Sequence, residues 1–391
     1  MKEIVILDGA RTPFGEFCSS LKDVTAIDLG VVASKEAIKR SQVKPDQINH
    51  VVFGNALQTS ADAIYMARHV GLKSGLPIST PAMTINRLCG SGLQAIVSAS
   101  QLLLLDEAEF VLAGGGENMS QSPHVIRGAR WGFDLGKGQL EDTLWSSLTD
   151  PYCGFSMALT AENLAEKFKI PRQEQDEFAY RSQRQAALAW EKSWLKEEIA
   201  PVELKKKGES YLVDKDEHMR ETTLEGLAKL RPYFRKDGFV TAGNASGICD
   251  GASAVVLTTK EKAQKLGLKY LGKILAWDYT GVEPAIMGIG PVYAIKNVLQ
   301  KVGLKLEQID LFEINEAFAA QYLAVEKELG LDRNKVNVNG GAIALGHPLA
   351  ASGARLSLTL LYEMRRRNAK YGVASLCIGG GQGIAAVFER E

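Results

Sequence analysis

At 391 residues, with 46% apolar and 24% charged side chains, the chain has ordinary globular usage, enough for two or three domains around a large core, and not the composition of a disordered one. Lys plus Arg balances Asp plus Glu at 46 each, which leaves no overall field to hold nucleic acid or an anionic membrane surface, so an anionic ligand needs a local patch. Five scattered cysteines without Cys-x-x-Cys spacing argue against a disulfide scaffold and a structural zinc site; no run nears the ~20 apolar residues of a membrane span, and the N-terminus lacks a signal peptide's pattern, so a soluble, cytoplasmic protein with reduced thiols is expected.

In chain order, residues 3–7 read as a strand, 27–41 as a helix, 50–53 as a short strand, 92–105 as a helix and 110–113 as a strand. From about Ser120 to Cys249 the composition shifts to Trp, Arg, Lys and Glu, with amphipathic pieces at 160–168 and 173–190 and a charged passage at 205–235. This region reads either as an inserted lid or subdomain or as plain helical decoration. Residues 239–257 return to small side chains and a strand. A second set follows: helix 292–302, strand 309–314, helix 353–366, strands 373–378 and 384–388. The alternation predicts an α/β fold with helices covering a mixed sheet.

The two sets are alike. Residues 31–49 align without a gap on 292–310, pairing Ala33 with Ala294, Lys35 with Lys296, Lys44 with Lys305 and Gln47-Ile48 with Gln308-Ile309. Gly114-Gly115-Gly116 then matches Gly379-Gly380-Gly381 at nearly the same offset. A duplicated α/β unit predicts two pseudo-symmetric halves with a site between them, since ligand clefts favour domain interfaces.

Reactive side chains stand among small residues in several places. His347 closes Asn339-Gly340-Gly341-Ala342-Ile343-Ala344-Leu345-Gly346-His347-Pro348. A neutral imidazole takes up a proton near pH 7 and returns it, and glycines let backbone and ligand come close. Cys89, in Asn86-Arg87-Leu88-Cys89-Gly90-Ser91-Gly92, precedes a long helical stretch. At such a turn the helix N-terminus supplies free N–H groups and partial positive charge, which favour the nucleophilic thiolate; the bland alternative is a buried packing cysteine. Cys377 ends a β-run before three glycines. It reads equally as a sheet-core cysteine, although the glycines could turn N–H groups toward a carbonyl oxygen; no Gly-Lys-Ser/Thr follows to make a phosphate loop. Asn315 follows a strand, where α/β folds tend to hold ligands; it could orient water, donate to an oxyanion or cap a helix. His50, His69, His124 and His218 lack such settings and read as surface or satisfied core residues. Together the two cysteines, the histidine and the asparagine suggest acyl or carbon transfer through a thioester. A protease would leave the second cysteine redundant.

Cys89 in NRLCGSG, Asn315 in NEAFAA, His347 in NGGAIALGHP and Cys377 in CIGGG together resemble the thiolase family. The likeness continues through Arg11-Thr12-Pro13-Phe14-Gly15, Thr160-Ala161-Glu162-Asn163, Lys229-Leu230-Arg231-Pro232 and Thr241-Ala242-Gly243-Asn244-Ala245-Ser246-Gly247, over essentially the whole chain. The resemblance implies two duplicated βαβαβαββ halves in a five-layered αβαβα core, with an inserted loop domain for coenzyme A binding and oligomerisation. The halves would take residues 1–119 with 250–268, and 269–391, the insertion 120–249. It implies a coenzyme A dependent acyltransferase, without metal or redox cofactor, that cleaves 3-oxoacyl-CoA or condenses two acyl-CoA molecules.

By the same resemblance Cys89 is the acylated nucleophile. His347 deprotonates it and, with a water held by Asn315, binds the thioester oxygen where the enolate forms. Cys377 moves the substrate's proton, and the N–H groups of Cys89 and Gly379 form a second oxyanion hole. Arg220 lies near adenine and phosphates; Ala242, Gly243 and Ser246 match the segment lining the pantetheine arm, with Phe318 a further coenzyme contact. Met157 and Met287 match positions crowding a short acyl group, acetoacetyl among them. Against that, residues 87–98 and 382–390 resemble members accepting longer chains, as in a 3-ketoacyl-CoA thiolase of β-oxidation. Residues 124–131 resemble a tetramer-forming loop, implying a homotetramer built from dimers. Two positions depart from the family: Ser156 stands where short-chain members often carry histidine, and Ala350 where a glycine follows His-Pro-x. The relatives with a single nucleophilic cysteine, ketoacyl synthases and hydroxymethylglutaryl-CoA synthases, lack the cysteine of CIGGG, and a carrier without turnover would be expected to lose catalytic positions.

Overall fold

The structure is a computed structural model and describes residues 2–206 and 208–391; Met1, ahead of the expected first strand, and Lys207, in the charged passage, lie outside them. Along the chain run β1 (Ile4–Arg11), α1 (Ala26–Ser41), β2 (His50–Gly54), β3 (Ala82–Ile85), α2 (Ser91–Leu104) and β4 (Phe110–Asn118). Then come α3 (Met157–Lys167), α4 (Arg172–Glu191), β5 (Cys249–Thr259), β6 (Gly272–Gly281), α5 (Gly290–Val302), β7 (Leu311–Ile314), α6 (Ala319–Leu329), α7 (Leu349–Arg367), β8 (Tyr371–Ile378) and β9 (Gln382–Glu389). Several expected elements prove longer. The strand expected at 110–113 continues through Gly114-Gly115-Gly116 to Asn118, because those glycines are buried in the sheet yet add no apolar signal. The strand expected at 309–314 starts at Leu311, because Ile309 closes a tight turn over Leu306–Gln308.

The strands form one sheet in the order β7-β8-β9-β6-β1-β5-β4-β2-β3, with a short strand, Gly15–Glu16, paired to β5. The duplication is explicit in the pairing. In the first half β1 pairs antiparallel with β5, β5 antiparallel with β4, and β4 parallel with β2. In the second half β6 pairs antiparallel with β9, β9 antiparallel with β8, and β8 parallel with β7. Even the parallel β2–β3 pair has a counterpart in the single bridge between Phe312 and Val336. The offset aligning Val31 with Val292 also carries the pair His50 and Val111 onto Leu311 and Gly372. One expectation is corrected by this register. Gly114–Gly116 lie opposite Ser375–Cys377 in the repeat, inside a strand, whereas Gly379-Gly380-Gly381 make the turn between β8 and β9.

Alternation along the strands feeds two faces. In β4, Val111 and Ala113 join a central core with α2, α7 and the inner faces of both half-sheets, while Phe110 and Leu112 join an outer core under α1. In β8, Ala374 and Leu376 point to the same central core and Val373 to the opposite outer one, beneath α5 and α6. The layers are therefore α1, half-sheet, α2 with α7, half-sheet, α5 with α6. Helices α2 and α7 cross at Gly92 and Gly353. A methyl on Gly92 would lie 2.5 Å from Ala350 O and 2.7 Å from Ala354 N, and one on Gly353 would lie 2.3 Å from Leu93 N. No side chain fits between these backbones.

Between Asn118 and Cys249 the described residues leave the sheet, touching it again at a bridge of Ile199 to Arg11, and the chain returns beside it with Asp250 opposite Asn118. Two buried clamps hold part of this excursion down. Arg11 donates to both carboxylate oxygens of Asp216, at 2.6 and 2.8 Å, and to Glu198 at 3.0 Å, while Phe14 N donates to Asp216 at 2.8 Å. Glu162 accepts from Phe239 N and Val240 N. Removing one partner of such a pair costs about 3–5 kcal/mol, because the other charge is left buried.

Gly353→Ala should destabilise the protein by about 3 kcal/mol or more, since neither backbone can yield. Gly281→Ala, where an added Cβ meets nothing within 4 Å, should stay within about 0.5 kcal/mol of the wild type. Thermal unfolding of the two variants checks this, and similar midpoints would contradict a rigid crossing.

Candidate active site

The crossing places the N-terminal ends of α2 and α7 side by side, and each is preceded by a reactive residue. Ahead of α2, Leu88–Gly90 make a tight turn with Leu88 at φ 45°, a left-handed conformation that costs a bulky residue roughly 1–3 kcal/mol. Ser91 offsets this strain: its hydroxyl accepts from Arg87 N at 2.8 Å and donates to Leu88 O at 2.7 Å. Cys89 stands in the turn. Burial of its sulfur pushes the thiol up to about 11; N–H donation from Gly379 and from Cys89 itself pulls the other way, and Glu117 adds a smaller upward push. The expectation that the helix N-terminus favours thiolate is therefore corrected: the donors are present, but desolvation outweighs them.

Ahead of α7, His347 N donates to Gly247 O at 3.0 Å, and the ring is buried. Its Nδ1 lies 2.6 Å from Ser352 Oγ, which donates its only proton to Pro348 O at 2.9 Å. The hydroxyl must then accept from Nδ1–H, leaving the lone pair on Nε2. Asn315 Nδ2 donates to that atom at 3.2 Å. Asn315 itself prolongs β7, donating its N–H to Ser375 O at 2.9 Å, and its buried Oδ1 has no partner among the described residues. Burial, helped by the Arg355 charge, pushes the imidazole down to about 3, so it is neutral at physiological pH.

Cys377 lies one residue from the end of β8 and is buried, which drives its thiol well above the usual range, with a smaller upward push from neighbouring Cys89. Met287, Ala317 and Cys377 form an apolar cluster with Met157 and Phe318 packed against it. A cavity of ≈270 Å³ opens beside it, lined by Leu144, Leu148, Met157, Ser246, Phe318 and His347 among others. Ser156 also lines it, and its hydroxyl caps α3, accepting from Leu159 N at 3.3 Å. Arg220 lies outside this cavity, in a neighbouring surface groove with Trp190 and Lys215, and is tied to Ala242 by a 3.4 Å bond to its carbonyl. Gly243 packs under Leu227 and Leu230, away from the cavity wall. Ala350 is fully buried; its N–H donates to Glu117 at 3.1 Å, and its carbonyl would lie 1.9 Å from a methyl on Gly115.

Several residues escaped local pattern. Glu117, fully buried, accepts from Ala56 N, Leu57 N, Ala350 N and Asn55 Nδ2, and burial lifts its carboxyl to about 7 against those donors. His218, read from sequence as an ordinary histidine, is buried against Gly247, and its Nε2 accepts from Arg220 at 3.0 Å. Burial pushes it down to about 4. Ser352, Arg355 and Glu313 are the other omissions. What the assembled groups can do is bind a carbonyl oxygen between the N–H groups of Cys89 and Gly379, and move protons between neutral thiols and a neutral imidazole.

Comparison with known proteins bears on the family of the chain. Residues 4–261 match the thiolase N-terminal domain family and residues 268–390 the thiolase C-terminal domain family. The chain is 51% identical to the mitochondrial 3-ketoacyl-CoA thiolase of Homo sapiens over 391 residues, covering 100% of this chain and 98% of that protein. It is 48% identical to an acetyl-CoA acetyltransferase of Syntrophomonas wolfei, covering 99% of both. The crystal structure of the human mitochondrial 3-ketoacyl-CoA thiolase in complex with CoA superposes with a TM-score of 0.97 at 51% identity, over 100% of this chain and 98% of that one.

A thiol near 11 beside an imidazole near 3 cannot be a preformed ion pair. Alkylation of Cys89 by iodoacetamide should accordingly rise about tenfold per pH unit from 7 to 9, as the thiolate fraction does. A plateau in that range, read by mass spectrometry, would show that the thiolate is already formed.

Proposed function

The chain belongs to the thiolase family, and on that premise we propose that it cleaves short-chain 3-oxoacyl-CoA, acetoacetyl-CoA among them, with a second coenzyme A, or condenses two acyl-CoA molecules in reverse. The observation that supports this most is the joint placing of Cys89 with the Gly379 N–H and of His347 with Asn315, at the paired ends of α2 and α7. His347 Nε2 takes the Cys89 proton as sulfur attacks the 3-oxo carbon, whose oxygen is held by the Cys89 and Gly379 N–H groups. The bond between carbons 2 and 3 breaks, and its electron pair becomes the enolate of acetyl-CoA. That enolate oxygen is bound by His347 and by a water on Asn315, while Cys377 gives carbon 2 its proton. Acyl-Cys89 remains. A second coenzyme A thiol gives its proton to the Cys377 thiolate and attacks the acyl carbon; sulfur leaves and recovers its proton from His347. Every group starts neutral, so each proton moves with bond making and not before it.

Ser246, Met157 and Phe318, on the cavity wall, are read as pantetheine contacts, with Ala242 and Gly243 alongside and Arg220, in the next groove, as the cation for the nucleotide phosphates. The crowding of Met157, Met287 and Phe318 around Cys377 favours a short acyl group. A second reading, a 3-ketoacyl-CoA thiolase of broader chain length, is favoured by the 51% identity to the human protein of that name. Assembly as a homotetramer is part of the proposal. Exposed Met83 on edge strand β3 and exposed Trp131 and Leu135 in the following excursion support it, as apolar surface of the kind that subunits cover.

Thiolysis should be fastest with the four-carbon 3-oxoacyl-CoA, and kcat/KM should fall with six and eight carbons; a profile flat to eight would replace the short-chain reading by the broader one. Cys89→Ala should abolish the acyl-enzyme and lower kcat by at least ~10³-fold. Cys377→Ser should spare acylation from a simple thioester while slowing carbon–carbon cleavage. Wild-type protein that acetoacetyl-CoA does not acylate would sink the proposal.

A further inference from the structure

Helix α7 carries a buried polar ridge where a central helix would ordinarily be apolar. Ser352, Arg355, Thr359 and Glu363 succeed one another on one face, each with relative exposure of 1% or less. Ser352 holds His347, Thr359 donates to Glu198 at 2.9 Å, and Glu363 accepts from Asn339 at 2.9 Å. Arg355 differs from its neighbours. Its Nη1 donates to Glu313 at 3.2 Å, but Nε and Nη2, fully buried, have no partner among the described residues.

The geometry has a plain logic. Glu313 and Asn315 are two apart along the end of β7, hence on one face; Ser352 and Arg355 are three apart on α7, hence also on one face. Two rungs therefore join the same helix and strand: Asn315 to His347 and Ser352 above, Glu313 to Arg355 one turn below. We propose that Arg355 is a positioning residue for the reaction, joining α7 to β7 beneath the His347–Asn315 pair and setting the electrostatic field at the imidazole. The inference rests on the reading of His347 as the base.

Other groups around the imidazole do not replace it. Glu117 is occupied by four N–H donors, and Glu316 accepts from Ser182, Asn337 and Ile343. Cys89 and Cys249 are held as thiols by burial, and His218 is turned to Arg220. Burial lifts Glu313 to about 8 in spite of Arg355, which weakens that carboxylate's hold on the guanidinium charge; Glu198, the other carboxylate that feels Arg355, is paired with Arg11. The guanidinium charge disfavours imidazolium and keeps His347 ready to accept a proton.

The test is the pH profile of thiolysis by purified Arg355→Met and Arg355→Lys beside the wild type. Removing the cation raises the imidazole pKa, so the acid limb of kcat should move up by about one pH unit in Arg355→Met. Its kcat should fall about 10- to 100-fold, with KM for coenzyme A within about threefold. Arg355→Lys should keep the wild-type limb and recover most of kcat. A folded Arg355→Met whose limb coincides with the wild type's, or an Arg355→Lys whose limb moves with it, overturns the inference. Should the Met variant not fold, Arg355→Gln, uncharged but still able to reach Glu313, takes its place, with the same upward move of the limb expected and an unmoved limb overturning the inference. Wild type that turns over in either case leaves the proposed reaction standing, whereas wild type without turnover sinks that reaction first.

Discussion

The contact on which the site depends is the crossing of α2 and α7 at Gly92 and Gly353, where backbone touches backbone. Each helix brings its N-terminal end to the same place only because neither residue has a side chain there. Gly115 extends the requirement into the sheet, since its missing side chain admits the Ala350 carbonyl. Cys89 stands one turn before Gly92 and His347 shortly before Gly353, so any displacement of the crossing is passed directly to the reacting groups. Serines repeat the design: Ser91 locks the turn that holds Cys89, and Ser352 locks the ring of His347.

Placing both residues where the helices meet also takes them largely out of water, His347 buried and Cys89 half-buried. Burial drives the thiols of Cys89 and Cys377 up and the imidazole of His347 down, so the resting site holds no formal charge on its reacting groups. Helix ends and aimed N–H groups, which in a wetter site would stabilise thiolate, serve instead as fixed dipoles for charge that appears only during reaction. A neutral site costs little to maintain. It also obliges the surrounding charges to be tied down, as Glu117 is by four N–H donors and Arg11 by two carboxylates.

Sequence made much of this legible. His347, Cys89 and Cys377 stood out because reactive side chains sat beside glycines, and Asn315 because it follows a strand; the periodic helices and strands were found close to their places. What stayed hidden was tertiary. The helix N-terminus after Cys89 is a local fact, but the burial of its sulfur and the opposing Gly379 N–H are brought there by residues far along the chain. Glu117 follows three glycines that carry no apolar signal and yet lie in a strand. The ridge of Ser352, Arg355, Thr359 and Glu363 was visible as polar residues at helical spacing. Its meaning was not, since that spacing ordinarily marks a solvated face.

Duplication supplies two copies of each element, yet the groups gather at one site, and the repeat register suggests why. The offset that brings Gly92 onto Gly353 and Ser91 onto Ser352 also brings Cys89 onto Ala350, Asn86 onto His347 and Gly116 onto Cys377. Each reactive residue thus faces an unreactive counterpart in the other half. One half retains the nucleophile and the other the imidazole and second thiol, so that two helix ends complete one constellation and not two partial ones. Ala350, anomalous beside its histidine when read along the chain, is then the counterpart of Cys89. Its task is met by a buried backbone whose N–H binds Glu117 and whose carbonyl rests against Gly92 and Gly115. A methyl group is tolerated at Ala350 itself, while the glycines opposite are the positions that cannot carry one.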